Sequence, residues 1–506
     1  MSPFVFPIPE IDWTQLVPVL AVSIGGILAL IWQLVQRGRS NAGILGVCVV
    51  SLAISMGYLG AQMVREVPSV ETFGNMVFTD AFGLSMQFLL ALSCLLILFF
   101  SEDYLQAKGI SFAEFYPLAM WATAGAMIMA STKSLLMVFV GLEILSISLY
   151  ALAGLSKYET RSQESSIKYF LLGAFASAFL LYGIAFIYGA TGSIHLDSIY
   201  VAAGSANDVV RVPLTFGIAL MFVGLLFKAA LAPFHQWTPD VYQGAPTNVT
   251  ALLATVSKIG AVAILFRVMD VVSPMAHIWV PLLSGVAVLT MVLGNVQALV
   301  QTDVKRIMGY SSISNAGYLL VALIARMQNP ERITPLAITI FLAGYVVMTL
   351  GSFGVFTLLT RNGKEFTDLK DLRGLFQLHP FAAAALAVFL CSQIGVPIFA
   401  GFWGKLMIFS DALGVGLNAL AIIMAITSVI SAFYYLVIIR AAFVDKSEVA
   451  PGTPALAPMR GGLKLVTWVC LVGTVLAFLA ISPLSKYYES NNSFVKAPAT
   501  VEVAQR

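Results

Sequence analysis

Charge is what this chain has least of. Of its 506 residues only 10% are Asp, Glu, Lys or Arg, while 59% are hydrophobic. Soluble domains carry roughly a quarter charged residues, so the soluble enzyme classes are excluded. With 28 bases against 25 acids the net charge is +3, too small for a nucleic-acid binder. Cysteine is scarce too. Cys48, Cys94, Cys391 and Cys470 are far apart and lie in apolar stretches, which excludes zinc or iron–sulfur spacings and a disulfide framework. They read as small core residues. The four histidines show no metal-ligand spacing. His195, His277 and His379 read as solvated or span-end residues, and His235 differs only by its setting. There is no phosphate-cradling Gly-rich loop, no nucleophile elbow and no HExxH.

Long apolar runs are abundant instead. A membrane-crossing helix needs about 20 mostly apolar residues. Fourteen stretches qualify: 15–35, 43–64, 81–100, 115–131, 134–154, 167–190, 212–233, 247–269, 278–298, 304–325, 333–359, 380–409, 418–440 and 463–484. The expected fold is an all-α polytopic membrane protein. The first stretch lacks a basic leader and a small-residue cleavage site, so it reads as a retained helix. With the N-terminus outside, sixteen Lys and Arg fall on the cytoplasmic side and nine opposite. That bias favours both termini outside. The charged segment Thr367–Gln377 reads as a solvated cytoplasmic loop or a partner-contact surface.

Three cations fall inside spans, Lys228, Lys258 and Lys405, with one clear interior acid, Glu143. An ionised group at bilayer depth costs roughly 2.5–3.5 kcal/mol on insertion scales. It persists when paired, hydrated or neutral. Desolvation favours neutral lysine and a nearby carboxylate favours the charged form, so a buried Lys with a carboxylate can be switched. Arginine, with a pKa above about 12, cannot. The competing reading is static: a Lys–Glu pair orienting helices, or lysines snorkelling to an interface.

Proline and glycine sharpen the pattern. Pro233 should break the helix just after Lys228, close to His235. Gly395, Pro397, Gly401 and Gly404 interrupt the span leading to Lys405. Two broken helices, one in each half, point to a transporter with ion sites near mid-membrane. Between them Thr250, Thr255 and Ser257 precede Lys258 and suit either helix packing or hydration. A repeat is faintly visible in Phe170-Leu-Leu-Gly173 and Phe341-Leu-Ala-Gly344, 171 residues apart.

Several longer motifs carry a resemblance. They are Gly141-Leu-Glu-Ile-Leu-Ser146, Ser166-Ile-Lys-Tyr-Phe170 and Lys228-Ala-Ala-Leu-Ala-Pro-Phe-His-Gln-Trp-Thr-Pro-Asp240 running on through Ser257-Lys-Ile259. Asp303-Val-Lys-Arg-Ile-Met-Gly-Tyr-Ser-Ser-Ile-Ser-Asn-Ala-Gly-Tyr318 and Gly401-Phe-Trp-Gly-Lys405 complete the set. Over residues 80–445 the chain resembles the proton-translocating membrane subunits of respiratory complex I, a family shared with multi-subunit Mrp-type cation/proton antiporters. Tyr242-Gln-Gly-Ala-Pro246 and a lysine at 405 fit the large-subunit type expected to carry lysine, not glutamate, at that last position. Asn248 departs from the second proline expected there.

The resemblance implies about fourteen helices with two inverted five-helix repeats. Residues 1–112 would hold helices 1–3, 113–270 and 271–445 the two repeats, and 446–506 the last helix and tail. Glu143 would be the carboxylate paired with Lys228, the switchable input. Lys258 would be the central relay and Lys405 the exit-side lysine. His235, Pro233, Pro397, Thr255 and Ser257 would be accessory. The implied function is proton translocation in a NADH–quinone oxidoreductase of the bacterial inner membrane, driven by quinone reduction elsewhere. NAD, FMN, iron–sulfur clusters and quinone would belong to partner subunits, with no cofactor or metal in this chain. Implied partners are an antiporter-like M-type subunit, small K-, J-, A- and H-type subunits and the lipid bilayer, with no nucleic acid. The alternatives are an Mrp-type antiporter subunit and a purely structural membrane scaffold.

Overall fold

The computed structural model describes residues 11–36, 41–66, 69–109, 113–205, 207–444 and 458–491. Arg37, Arg39, Lys446, Lys496 and Arg506 of the charge count lie outside these. The first half holds α1 (Trp13–Gln36), α2 (Ala42–Val64), α3 (Ala81–Lys108), α4 (Phe115–Ala130), α5 (Leu135–Ala153), α6 (Thr160–Thr191), α7 (Leu196–Ser205) and α8 (Asp208–Lys228). Next come α9 (Trp237–Gly244), α10 (Thr247–Ala254), α11 (Val256–Val271), α12 (Ala276–Leu299), α13 (Val304–Gln328) and α14 (Leu336–Phe356). The last are α15 (Leu375–Leu378), α16 (Pro380–Ile394), α17 (Ala400–Gly414), α18 (Asn418–Phe443), α19 (Gly461–Leu476) and α20 (Ile481–Ser490). Two small antiparallel hairpins were not expected: β1 (Val70–Thr72) with β2 (Val77–Thr79), and β3 (Thr360–Arg361) with β4 (Lys364–Glu365).

Among the described residues twelve helical stretches are long and apolar enough to cross a membrane. The expected spans at 115–131 and 380–409 correspond to shorter helices, the second of them split into α16 and α17. The molecule is a polytopic helical membrane protein. The stretches Thr247–Val271 and Val304–Gln328 are wholly enclosed, whereas α1, α2, α6, α12, α18 and α19 turn apolar side chains outward. A helix apolar all round fits a buried or lipid-facing position, so the bundle is built around α10, α11 and α13.

Two of the breaks adjoin Lys228 and Lys405. The chain leaves helix after Lys228 and resumes at Trp237, as Pro233 requires. Helix α16 stops at Gly395, whose φ of +101° favours glycine and lets the Lys405 side chain pass alongside. Gly401 and Gly404 do not interrupt the span. They lie inside α17, where a Cβ would strike the Ser392 carbonyl or the Phe341 backbone, so they serve close helix contact. A third break, at Thr255 between α10 and α11, was not expected. The Thr255 hydroxyl donates to the Ala251 carbonyl there, 2.7 Å away.

The interior holds more charge than the sequence count suggested. Lys108 and Lys305, counted as cytoplasmic cations, are buried around Glu365. Tyr104 bonds the same carboxylate, and the Thr247 N–H at the start of α10 donates to it at 3.0 Å. Burial pushes the Glu365 carboxyl up, but Lys305 and Lys108 outweigh it and hold it at about 2. At the other end of the bundle Arg267 pairs with buried Asp80 at 2.6 Å and Arg326 with Asp270 at 2.8 Å. By sequence both arginines count among the nine cations on the side opposite the cytoplasm. The segment expected as a solvated loop at Thr367–Gln377 is partly docked, with Leu372 and Leu375 buried.

Candidate functional site

Lys228 is the last residue of α8, and its Nζ donates to Ser146 Oγ of α5 at 2.8 Å and Tyr169 OH of α6 at 3.1 Å. Glu143 lies one turn before Ser146, so both face the same side of α5. Its carboxylate accepts from Ser177 Oγ of α6 at 2.5 Å. Glu143 and Lys228 do not touch: the carboxylate acts on the ammonium through space. A cavity of about 10 Å³ beside Lys228 is lined by Ser146, Tyr150, Ser177 and Lys228. That is the size of a single water site. The pair implied by the resemblance is therefore an indirect one.

Lys258 occupies the first turn of α11, just past the Thr255 break. Its Nζ donates to the Ser312 carbonyl of α13 and lies 5.5 Å from the Tyr345 ring centre. The Ser312 hydroxyl meets Tyr242 OH at 3.1 Å and Tyr345 OH at 3.0 Å. Ser257, next to Lys258 in sequence, lies near Tyr169. Its hydroxyl is buried with no hydrogen-bond partner among protein atoms. A buried polar atom of this kind fits an ordered water.

Lys405, in α17, rests on the freed end of α16. Its Nζ donates to the Gln393 carbonyl at 2.8 Å, the Ile394 carbonyl at 3.1 Å and Ser428 Oγ of α18 at 3.0 Å. The final carbonyls of a helix lack intrahelical partners and carry its negative dipole end, so a cation is at home there. The lysine also borders a mainly apolar cleft of about 410 Å³ between α17 and α18.

Side chains the sequence reading had passed over bridge these positions. Ser311, beside Ser312, bonds Tyr435 OH, and the Tyr434 and Tyr435 rings lie 4.5 Å apart. Tyr434 OH donates to Asn295 Oδ1 at 3.1 Å, and Asn295 Nδ2 reaches Tyr318 OH at 3.4 Å. The Tyr318 ring centre lies 5.3 Å from Lys405 Nζ. Tyr169 and Ser257 lie between Lys228 and Lys258, and the serines, tyrosines and Asn295 just described lie between Lys258 and Lys405, a row of buried polar side chains that are not all hydrogen-bonded to one another. The signal that could have found the second half was the run Ser311-Ser-Ile-Ser-Asn315 inside the least hydropathic of the twelve spans among the described residues.

The accessory residues divide. Thr255 marks a break and Ser257 joins the axis. Pro233 and Pro397 are exposed residues of the two breaks, where they shape the helix ends. His235 lies in the first break with a buried, unpartnered Nδ1. Asn248, the departure from the family pattern, is buried and bonds Ser101 Oγ at 3.3 Å.

Residues 132–431 match the family described as NADH:quinone oxidoreductase/Mrp antiporter, TM. The chain is 36% identical to NADH-quinone oxidoreductase subunit N of Chloroflexus aggregans, over 94% of its own length and 96% of the relative's. It is 37% identical to NADH-quinone oxidoreductase subunit N 2 of Koribacter versatilis, over 96% and 97% of the two chains. The chain belongs to the NADH-quinone oxidoreductase subunit N family. Its fold agrees. A chain of respiratory complex I from Thermus thermophilus superposes with a TM-score of 0.76 at 33% identity, covering 92% of this chain and 99% of that one. A chain of the Mrp complex from Dietzia sp. superposes with a TM-score of 0.82 at 20% identity, covering 96% and 98%, a likeness of fold alone.

Proposed function

We propose that this chain is the N-type membrane subunit of a proton-pumping NADH–quinone oxidoreductase. It carries protons along the axis Glu143, Lys228, Lys258 and Lys405, driven by quinone reduction in other subunits. The observation that carries this reading is the row of buried polar side chains that lies between the three lysines. A static lysine clamp would need only its own partners, not a file of hydroxyls between clamps. The unpartnered buried atoms on or beside the file, such as Ser257 Oγ, Asn315 Oδ1 and Gln393 Oε1, suit a wetted path.

In this reading Glu143 holds the proton on Lys228, and shifting its charge away sends the proton toward Lys258 and then Lys405. Moving one charge against the membrane field takes about 2.3 kcal/mol per 100 mV. Creating or removing one carboxylate–ammonium interaction in a low-dielectric site is on that scale. The subunit works within a multi-subunit membrane complex. Its neighbours would be an M-type antiporter-like subunit and small K-, J-, A- and H-type subunits, with NAD, FMN, iron–sulfur clusters and quinone held by partners. The two five-helix repeats at 113–270 and 271–445 and the placement of both termini on the periplasmic side belong to the same proposal. The Glu365 end of the bundle then faces the cytoplasm.

The test uses the intact complex in sealed vesicles. Lys228→Ala and Glu143→Ala are each expected to cut proton pumping by about tenfold or more, the scale of losing one charge-assisted interaction, while the complex still assembles. Normal pumping in both removes the mechanism. Sodium-dependent proton exchange by the chain without quinone reductase partners would favour the Mrp-type antiporter reading instead.

A further inference from the structure

Helix α9 is only eight residues long and lies between the Lys228 break and the turn at Ala245 and Pro246. Three of its side chains face the proton axis or its surroundings. Trp237 stacks on Tyr169 with ring centres 4.6 Å apart, and its Nε1 donates to the Phe227 carbonyl at 3.0 Å. Tyr242 reaches Ser312. Asp240, one turn after Trp237, pairs with Lys168 of α6 at 3.0 Å and Arg306 of α13 at 2.6 Å. Lys168 precedes Tyr169, so one short helix is tied to α6 twice, by a ring stack over Lys228 and an ion bridge beyond it. Outside the bridge lies an open cavity of about 160 Å³ at the Glu365 end, lined by Arg161, Glu164, Lys168, Asp240 and Gln243.

The bridge is built to open. The side chains of Lys168 and Asp240 are 43% and 36% exposed, so water weakens their attraction. The Arg267–Asp80 pair at the opposite end is 5% and 2% exposed. Both partners also have a second counter-charge. Glu164 holds Lys168 from the same helix at 2.6 Å, and Arg306 holds Asp240. Separating Lys168 from Asp240 thus leaves neither charge bare. Partial burial pushes Asp240 up, but hydrogen bonds from Arg306 and Lys168 outweigh it and keep the carboxyl below its usual value. Asp240 therefore stays ionised and keeps its charge whether or not Lys168 is in contact.

We propose that α9 is the gate through which Lys228 takes up protons from the Glu365 end. The Lys168–Asp240–Arg306 bridge is its latch and the Trp237–Tyr169 stack its lid. The proposal rests on the proton-carrying reading of Lys228 and adds the place where the path meets water. Asp240, Lys168 and Trp237 are positioning residues, since none touches the Lys228 ammonium.

The test places a cysteine at Ala176, which lines the Lys228 cavity two turns along α6 from Tyr169. Intact complex in vesicles with the Glu365 end outward is treated with a small, water-soluble, membrane-impermeant thiol reagent, and labelling of that cysteine is followed by mass spectrometry. Ala176→Cys alone should label slowly. Adding Asp240→Asn should raise the rate by about tenfold, the scale of one lost charge-assisted hydrogen bond, and Asp240→Glu should restore protection. Lys168→Gln breaks the latch from its other side and should act like Asp240→Asn. Equal labelling with and without the latch overturns the gate. Because labelling does not depend on pumping, that result is separable from normal pumping by Lys228→Ala, which would overturn the proton-carrying reading.

Discussion

Lys228 and Lys405 each adjoin an interrupted helix, yet the two ends of the axis are furnished differently. Lys228 is held by a serine and a tyrosine hydroxyl, with the Glu143 carboxylate within electrostatic reach. Lys405 rests on two main-chain carbonyls and Ser428, and takes none of the ion pairs found among the described residues. A side-chain hydroxyl can rotate and a distant carboxylate can change its influence, whereas carbonyls at a helix end are fixed by the fold. The first end has adjustable partners. The second has fixed ones and borders a cleft.

That contrast can be broken. Lys405→Met leaves the Gln393 and Ile394 carbonyls without their cation. Pumping should fall about tenfold or more, and the α16–α17 junction should lose about 1–3 kcal/mol through unpartnered polar groups, measured as a lower melting temperature of the purified complex. Glu143→Gln keeps an acceptor for Ser177 but removes the charge. It should lower pumping several-fold without affecting melting, because the carboxylate makes no direct ion pair with Lys228. Equal behaviour of the two variants would erase the distinction between the ends. Tyr318→Phe, which keeps the ring beside Lys405 and removes the hydroxyl bonded to Asn295, should slow pumping about two- to fivefold if one hydrogen bond of roughly 0.5–1 kcal/mol is lost.

The smallest effect on transport is expected from Glu365→Gln, which acts on stability. A buried ion pair broken from one side costs about 3–5 kcal/mol, and here Lys305 loses its carboxylate whereas Lys108 keeps Glu159 at 3.0 Å. The folded-state value of about 2 lies below the ordinary 4.5, so the stabilisation is complete above about 4.5 and lost as pH falls toward about 2. Thermal melts of parent and variant should differ at pH 7 and converge across that acid window.

How much of this was legible in the sequence depends on the physics behind each feature. Glu143, Lys228, Lys258 and Lys405 stood out because a charge amid twenty apolar residues is costly and conspicuous. The break after Lys228 was legible because Pro233 forbids the continuing helix. The break at Thr255 was not, since threonine is compatible with helix and its hydroxyl simply takes a carbonyl one turn back. The tyrosines and serines between the lysines look like ordinary span residues in sequence. Tyr169 and Tyr434 matter by whom they meet across helices, which periodicity does not reveal. Lys108, Lys305, Arg267 and Arg326 were counted by side because they fall near span ends, where a hydropathy window cannot tell a solvated loop from a buried pair. The Gly-rich spacing suggests that Gly401 and Gly404 interrupt the span, whereas close helix contact explains them.

Lys258 is the position both halves of the axis share, so it bears most directly on whether one path exists. In the intact complex reconstituted into vesicles, Lys258→Met should abolish proton pumping and slow the quinone reduction coupled to it, with assembly and melting close to the parent's. Full pumping at an unchanged rate of quinone reduction would contradict the account and leave Lys258 a structural contact of α11 with Ser312.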